Sequence, residues 1–104
     1  MALTLYWTSF AERKLEDIFA YYAVRAGFQI AQKLVSGIIE KTISLENNHL
    51  IGQKEPLLKS RNDEYRYLVY KSYKIIYRIN KAKERIEVVH VFDCRQNPEK
   101  MIDL

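Results

Sequence analysis

Residues Tyr65–Arg78 read YRYLVYKSYKIIYR, five tyrosines interleaved with Arg66, Lys71, Lys74 and Arg78. Ammonium and guanidinium groups bind phosphates and carboxylates, and tyrosine rings offer faces on which bases stack, worth about 1–3 kcal/mol per base. Side chains alternate along a strand. One parity is therefore Tyr73, Ile75, Tyr77 and Ile79, and the other is Lys74, Ile76 and Arg78. The apolar parity is expected beneath a covering layer, which leaves Lys74 and Arg78 facing outward. In the preceding strand Arg66, Leu68 and Tyr70 share one parity and Tyr65, Tyr67 and Val69 the other. Alternation alone does not say which set joins the cations. Strand propensity accounts for any single tyrosine, but the cluster points to an anion-binding sheet face.

Other chemistry-bearing residues are scattered. His90 sits between Val89 and Val91 with no carboxylate at a readable spacing, so it reads as a strand histidine rather than a general base. His49 falls in a polar loop. Cys94 is the single cysteine. It forms no zinc pattern with the histidines, and it would need an adjacent base to act as a nucleophile. Glu12, Glu16 and Asp17 suit the solvated face of a helix near its positive end. Three glycines do not make a phosphate-cradling loop. No metal and no cofactor is expected.

The chain has 104 residues, 48% hydrophobic and 29% charged, which bounds it to one soluble domain over 1–104. No run approaches membrane-spanning length and no signal peptide is legible, so a cytoplasmic location is expected. The formal net charge is +4. Residues 1–50 are balanced, so the whole excess belongs to 51–104. A localised positive field suits an anionic partner, although an excess of this size also serves solubility.

The elements that must position these groups follow from periodicity. Leu3–Trp7 alternates as a short strand. Thr8-Ser9, with Glu12 three residues after Ser9, carries a capping-box signature. Ala11, Leu15, Ile18 and Tyr22 then give a helix from Ser9 to Arg25, closed by Gly27. Ala31, Leu34, Val35, Ile38, Thr42 and Leu45 give a second helix from Phe28 to Glu46. Leu57-Leu58 is expected as a short edge strand after Pro56. Strands follow at Tyr65–Tyr70, Tyr73–Asn80 and Arg85–Phe92, the last apolar on both parities and so expected to be central. Short links make them an antiparallel meander. The fold class is α+β: an N-terminal strand and an α-helical hairpin packed on one face of an antiparallel sheet of three to four further strands.

Within this order, "LYWTSFAERKLEDIFAYYA", "IGQKEPLL", "YRYLVYKSYKIIYRI" and "VVHVFDCRQNPEKM" together resemble the RelE/ParE superfamily of bacterial toxins, collinearly over nearly the whole chain. The resemblance implies the same small α+β fold. It also implies the toxin of a type II toxin–antitoxin (plasmid stabilisation) module. A cognate antitoxin would wrap the toxin with a segment that folds on binding, and operator DNA would be engaged only through that antitoxin. Leu57 and Leu58, if exposed at an edge, would line the antitoxin groove beside Lys74 and Arg78.

The superfamily divides by mechanism. RelE-like members cut mRNA on the ribosome, whereas ParE-like members inhibit DNA gyrase without chemistry of their own. Cleavage by 2′-OH attack needs a base, cations for the phosphate and an acid for the leaving oxygen. Arg66, Lys74 and Arg95 are the candidates here. No tyrosine follows Arg95, and Asp93 adds negative charge where a phosphate would sit. The "RQNP" ending resembles ParE-type and plasmid-stabilisation members. The expectation is a non-enzymatic toxin with gyrase as target. The alternatives are a ribosome-dependent mRNA endoribonuclease and a basic nucleic-acid-binding module.

Overall fold

The alternation after Leu3 becomes strand β1, Thr4–Trp7, and the chain turns directly into helix α1, Ser9–Ala26. The structure is a computed structural model that describes residues 3–58, 64–97 and 100–101. Thr8, not Ser9, caps α1. Its extended backbone carries the β1 ladder one step further, its N–H donating to the Val88 carbonyl at 3.0 Å. Its Oγ1 accepts from the Ala11 N–H at 3.2 Å. Glu12 therefore lies one residue too far along for the expected capping box, and its N–H makes the first helical bond, to the Thr8 carbonyl.

Helix α2, Phe28–Ile43, follows after the single residue Gly27. Gly27 has φ +99°, which only glycine adopts without strain. Its N–H donates back to the Tyr22 carbonyl, and its carbonyl accepts from the Ala31 N–H, so one residue ends one helix and starts the next. The second apolar stripe runs on as expected, but its last turn tightens. Ser44–Glu46 is a 3-10 turn that tucks Leu45 wholly inside.

The sheet order is β1-β5-β4-β3-β2, with β2 Gln53–Lys54, β3 Tyr65–Tyr70, β4 Tyr73–Asn80 and β5 Arg85–Asp93. The meander is antiparallel as expected. β1 joins its far edge parallel to β5, Thr4 against Arg85 through Trp7 against Val88. The expected edge strand at Leu57-Leu58 is displaced. The edge strand is Gln53–Lys54, and Pro56–Leu58 forms a 3-10 turn. Pro56 has no N–H for a ladder. The last edge bond runs from Glu55 N–H to the Tyr65 carbonyl, and the chain then folds so that Leu58 N–H meets the Glu55 carbonyl.

Two cores result. Beneath the helices, Ala11, Leu34 and Ile38 meet Leu68, Tyr73, Ile75, Tyr77, Ile86 and Val88. A Cβ on Gly37 would overlap the Tyr70 hydroxyl, so α2 comes close to β3 through its glycine. The opposite sheet face is not open in its middle. Leu58 and Met101 close over Tyr65, Ile76, Val89 and Phe92. β5 is buried along nearly its whole length, as its two apolar parities require. Tyr77 pairs with Val88 but Ile76 with His90, so Val89 is an extra, bulged residue. The bulge resets the alternation, returning Val91 to the helix side and Phe92 to the other.

Candidate functional site

The register decides which cations share a face. β3 pairs Arg66 with Tyr77, Tyr67 with Ile76, Val69 with Lys74 and Tyr65 with Arg78. Lys74 and Arg78 therefore look away from the helices, alongside Tyr65, Tyr67 and Val69, as the β4 alternation predicts. Arg66 falls on the helix side, so it does not join Lys74.

Each cation meets an acid. Lys74 Nζ lies 2.9 Å from Oε1 of Glu55, whose side chain is fully buried, and 4.3 Å from the centre of the Tyr67 ring. Arg78 Nε donates to Glu87 Oε1 at 2.7 Å, and its NH1 reaches the Tyr65 hydroxyl at 3.4 Å. Glu87 is 2% exposed, and its second oxygen accepts from Arg85 Nε at 2.6 Å and Asn80 Nδ2 at 3.3 Å. Burial pushes the Glu87 carboxyl up, but the hydrogen bonds from Arg78 and Arg85 outweigh it and hold the group below the usual carboxylate range. These acids turn the expected basic face into a set of internal ion pairs, filled with apolar side chains at its centre.

Arg66 is occupied in a different way. Its Nε donates to Glu64 at 2.8 Å and its NH1 to the Gly52 carbonyl at 2.7 Å, pinning the strand to the loop before β2. Tyr77 supports the same loop, its hydroxyl donating to the His49 carbonyl and accepting from the Gly52 N–H, both at 2.9 Å.

Arg95 stands just past β5. Its guanidinium grips Asp93 with two bonds, Nε to Oδ1 at 2.9 Å and NH2 to Oδ2 at 2.8 Å, its backbone N–H adds a third to Oδ1 at 2.9 Å, and NH2 reaches the Tyr22 hydroxyl on α1 at 3.1 Å. Arg95 holds the Asp93 carboxyl below its ordinary range. Tyr22 is lowered by its hydrogen bonds to Tyr73 and Arg95, while burial drives Tyr73 upward. Asp93 pairs with Tyr73 across the ladder, so this network belongs to the helix side and not to the Lys74 face. Asp93, read from sequence as a charge that would repel phosphate, is here the partner that holds Arg95.

Leu58 is 1% exposed and belongs to the second core, so it is not an exposed groove residue as expected. Its burial is what turns the chain after Pro56. The Leu57 side chain lies outside the described residues. His90 is buried edge-on between Phe10 and Phe92, with centroids 5.0 and 5.6 Å away. Among the described residues, no three of His, Cys, Asp and Glu are grouped to hold a metal ion. None of the described helices is long and apolar enough to cross a membrane.

Sequence reasoning missed Glu55 and Glu87, the acids that fix the cations. Glu87 left a signal: it is a lone acid between Ile86 and Val88 in an apolar strand. Its meaning appears only once the register sets it opposite Arg78.

A family model described as "ParE toxin of type II toxin-antitoxin system, parDE" matches residues 5–98. The chain belongs to the ParE toxin family. No curated protein matches it. Among solved structures, this ParE-family chain is similar to one titled "Chromosomal ParDE TA system from P. aeruginosa", with a TM-score of 0.73 and 23% identity. The match covers 88% of this chain and 96% of that one, and it shows the shared fold. The ParE match spans the strand, hairpin and meander in the order in which the resemblance was read.

Proposed function

We propose that this ParE-family toxin acts by binding a target protein, DNA gyrase, and is neutralised by a cognate antitoxin. The reading rests on one observation. Arg66, Lys74 and Arg95, the cations a ribonuclease would need, do not converge. Arg66 is fixed to Glu64 and the Gly52 carbonyl, Lys74 to Glu55 and Arg95 to Asp93. Cleavage by 2′-OH attack needs a base and an acid within about 3 Å of one reacting phosphate, with cations on its oxygens. Here the carboxylates already occupy the cations, and a phosphate would have to displace them. Binding has no such requirement. Lys74 and Arg78 keep their pairs with Glu55 and Glu87, and their partly exposed edges on the face away from the helices flank the surface that the antitoxin would cover. Operator DNA would be reached through the antitoxin.

The test is to induce the chain without its antitoxin and map transcript 5′ ends by primer extension, with a gyrase supercoiling assay on the purified protein. Growth arrest with intact messages and lost supercoiling is expected. New codon-linked 5′ ends would overturn the binding reading in favour of ribosome-dependent cleavage.

A further inference from the structure

Lys74, Arg78, Arg85 and Arg95 are each held by a carboxylate. Lys33 on α2 and Lys71 in the turn between β3 and β4 are not. Both are exposed, and among the described residues neither has an acid partner. Lys71 Nζ has only the Tyr70 ring, 5.8 Å from its centre. The two lysines line one cavity of about 230 Å³ with Tyr22, Ile30, Leu34, Ser72 and Tyr73. No carboxylate lines it, and residues 18–39 and 65–83, which supply its walls, contain no Asp or Glu. Asp93, opposite Tyr73 across the ladder, is taken up by Arg95. The turn adds an independent sign. Lys71 holds φ +52°, in the left-handed region. Glycine or asparagine fills such a position in a two-residue hairpin turn with less strain. Strain of this kind persists where the side chain has a use that outweighs it.

We propose that this cavity binds a small phosphomonoester carrying one planar ring, with the phosphate between Lys33 and Lys71 and the ring against Ile30, Leu34 and Tyr73. Charge selects the phosphate. Two ammonium groups without a counter-charge suit a doubly charged anion, which lysine binds as a point charge. The floor selects the ring. Leu34 and Tyr73 are 8% and 4% exposed, and the Tyr22 hydroxyl is tied to Arg95 at 3.1 Å, so the surface beneath the lysines is apolar and fixed. A bare phosphate would leave that surface wet, whereas a ring covers it. Size limits the occupant. The cavity is smaller than the roughly 300–1,000 Å³ of drug-sized sites, so it suits a single ring and its phosphate. The inference does not rest on gyrase as target, because Lys33 and Lys71 stand apart from Arg66, Lys74 and Arg95.

Phenyl phosphate is the probe, titrated into the full, isotopically labelled chain by NMR and calorimetry. Inorganic phosphate and benzyl alcohol stand for its two halves. Saturable shifts at the Lys71 and Ser72 amides are expected, with binding at least about tenfold tighter than either half. Uridine 5′-monophosphate runs alongside, and whichever of the two esters binds tighter names the ring, a nucleobase or a simple arene. Lys33→Gln/Lys71→Gln is expected to bring phenyl phosphate down to the level of benzyl alcohol and to leave benzyl alcohol unchanged. Lys81→Gln/Lys83→Gln removes the same charge from the β4–β5 turn and is expected to leave binding within about twofold of the parent. Circular dichroism confirms that both double variants fold. Lys71→Gly separates binding from folding. It is expected to raise the thermal midpoint by relieving the positive φ, and to weaken phenyl phosphate about threefold or more. Absence of shifts, inorganic phosphate binding as tightly as the ester, or equal losses in the two double variants would overturn the proposal. So would shifts confined to the face of Lys74 and Arg78, or a Lys71→Gly variant that binds as tightly as the parent.

Discussion

Glu87 shows how one side chain sets the character of a face. It sits in an apolar strand at 2% exposure and survives there because Arg78, Arg85 and Asn80 supply its hydrogen bonds. A buried charge without such partners would neutralise or unfold its surroundings. Glu87→Gln is therefore expected to cost about 2–3 kcal/mol in chemical denaturation, since two guanidinium groups lose their counter-charge. The pH dependence has a definite sign. The folded carboxyl titrates below its unfolded value, so its contribution is full above the unfolded carboxylate pKa, about 4.3. It is lost as pH falls through the lower folded value. A thermal-denaturation series below pH 5 should show a steep acid limb in the parent and a shallower one in Glu87→Gln. Lys74 and Glu55 are a second such pair, legible in the sequence as a cation and an acid but not as partners.

At the scale of elements, the helical hairpin was the most readable part of the chain. Its stripes recur at 3.6 spacing over two long runs, and Gly27 marks the joint. The cap was misplaced by one residue because Thr8 and Ser9 are equivalent to a local reading. The choice falls to Thr8 because its backbone is still bonded to Val88 in the neighbouring strand. Thr8→Ala is accordingly expected to lower stability by about 1 kcal/mol and Ser9→Ala by far less, measured by urea unfolding of the two variants. The edge strand was misplaced for a related reason. Leu57-Leu58 after proline looks like a strand start, but Leu58 has an apolar site to fill beneath the sheet, and filling it bends the chain.

The whole molecule is a sheet with a core on each side, one large and one small. The smaller core depends on two distant pieces of chain, Leu58 and Met101, meeting over Ile76. Met101→Ala should therefore cost about 2–5 kcal/mol, far more than a tail residue would, and differential scanning calorimetry would show it as a lowered midpoint. The separation of the cations is likewise a property of the whole. Arg95 and Lys74 lie on different sides of the sheet, so Lys74→Ala and Arg95→Ala should each leave growth inhibition within about twofold of the parent. A catalytic role would cost each variant two or more orders of magnitude. Colony counts after induction, with circular dichroism of the purified variants as a folding control, distinguish the two outcomes.

The sequence by itself determined the fold class, the order of the elements, the apolar face of β4 and the collinear likeness to RelE/ParE toxins. Those features rest on local periodicity and on residue order. Tertiary structure alone decided the rest. It paired β1 in parallel with β5, set Arg66 across the sheet from Lys74, laid Leu58 and Met101 over the face expected to be open, and matched each sheet cation with its acid. Register, bulges and long-range pairing depend on which residues become neighbours in space. Alternation within a strand is blind to that, because shifting the pairing by one residue exchanges every face.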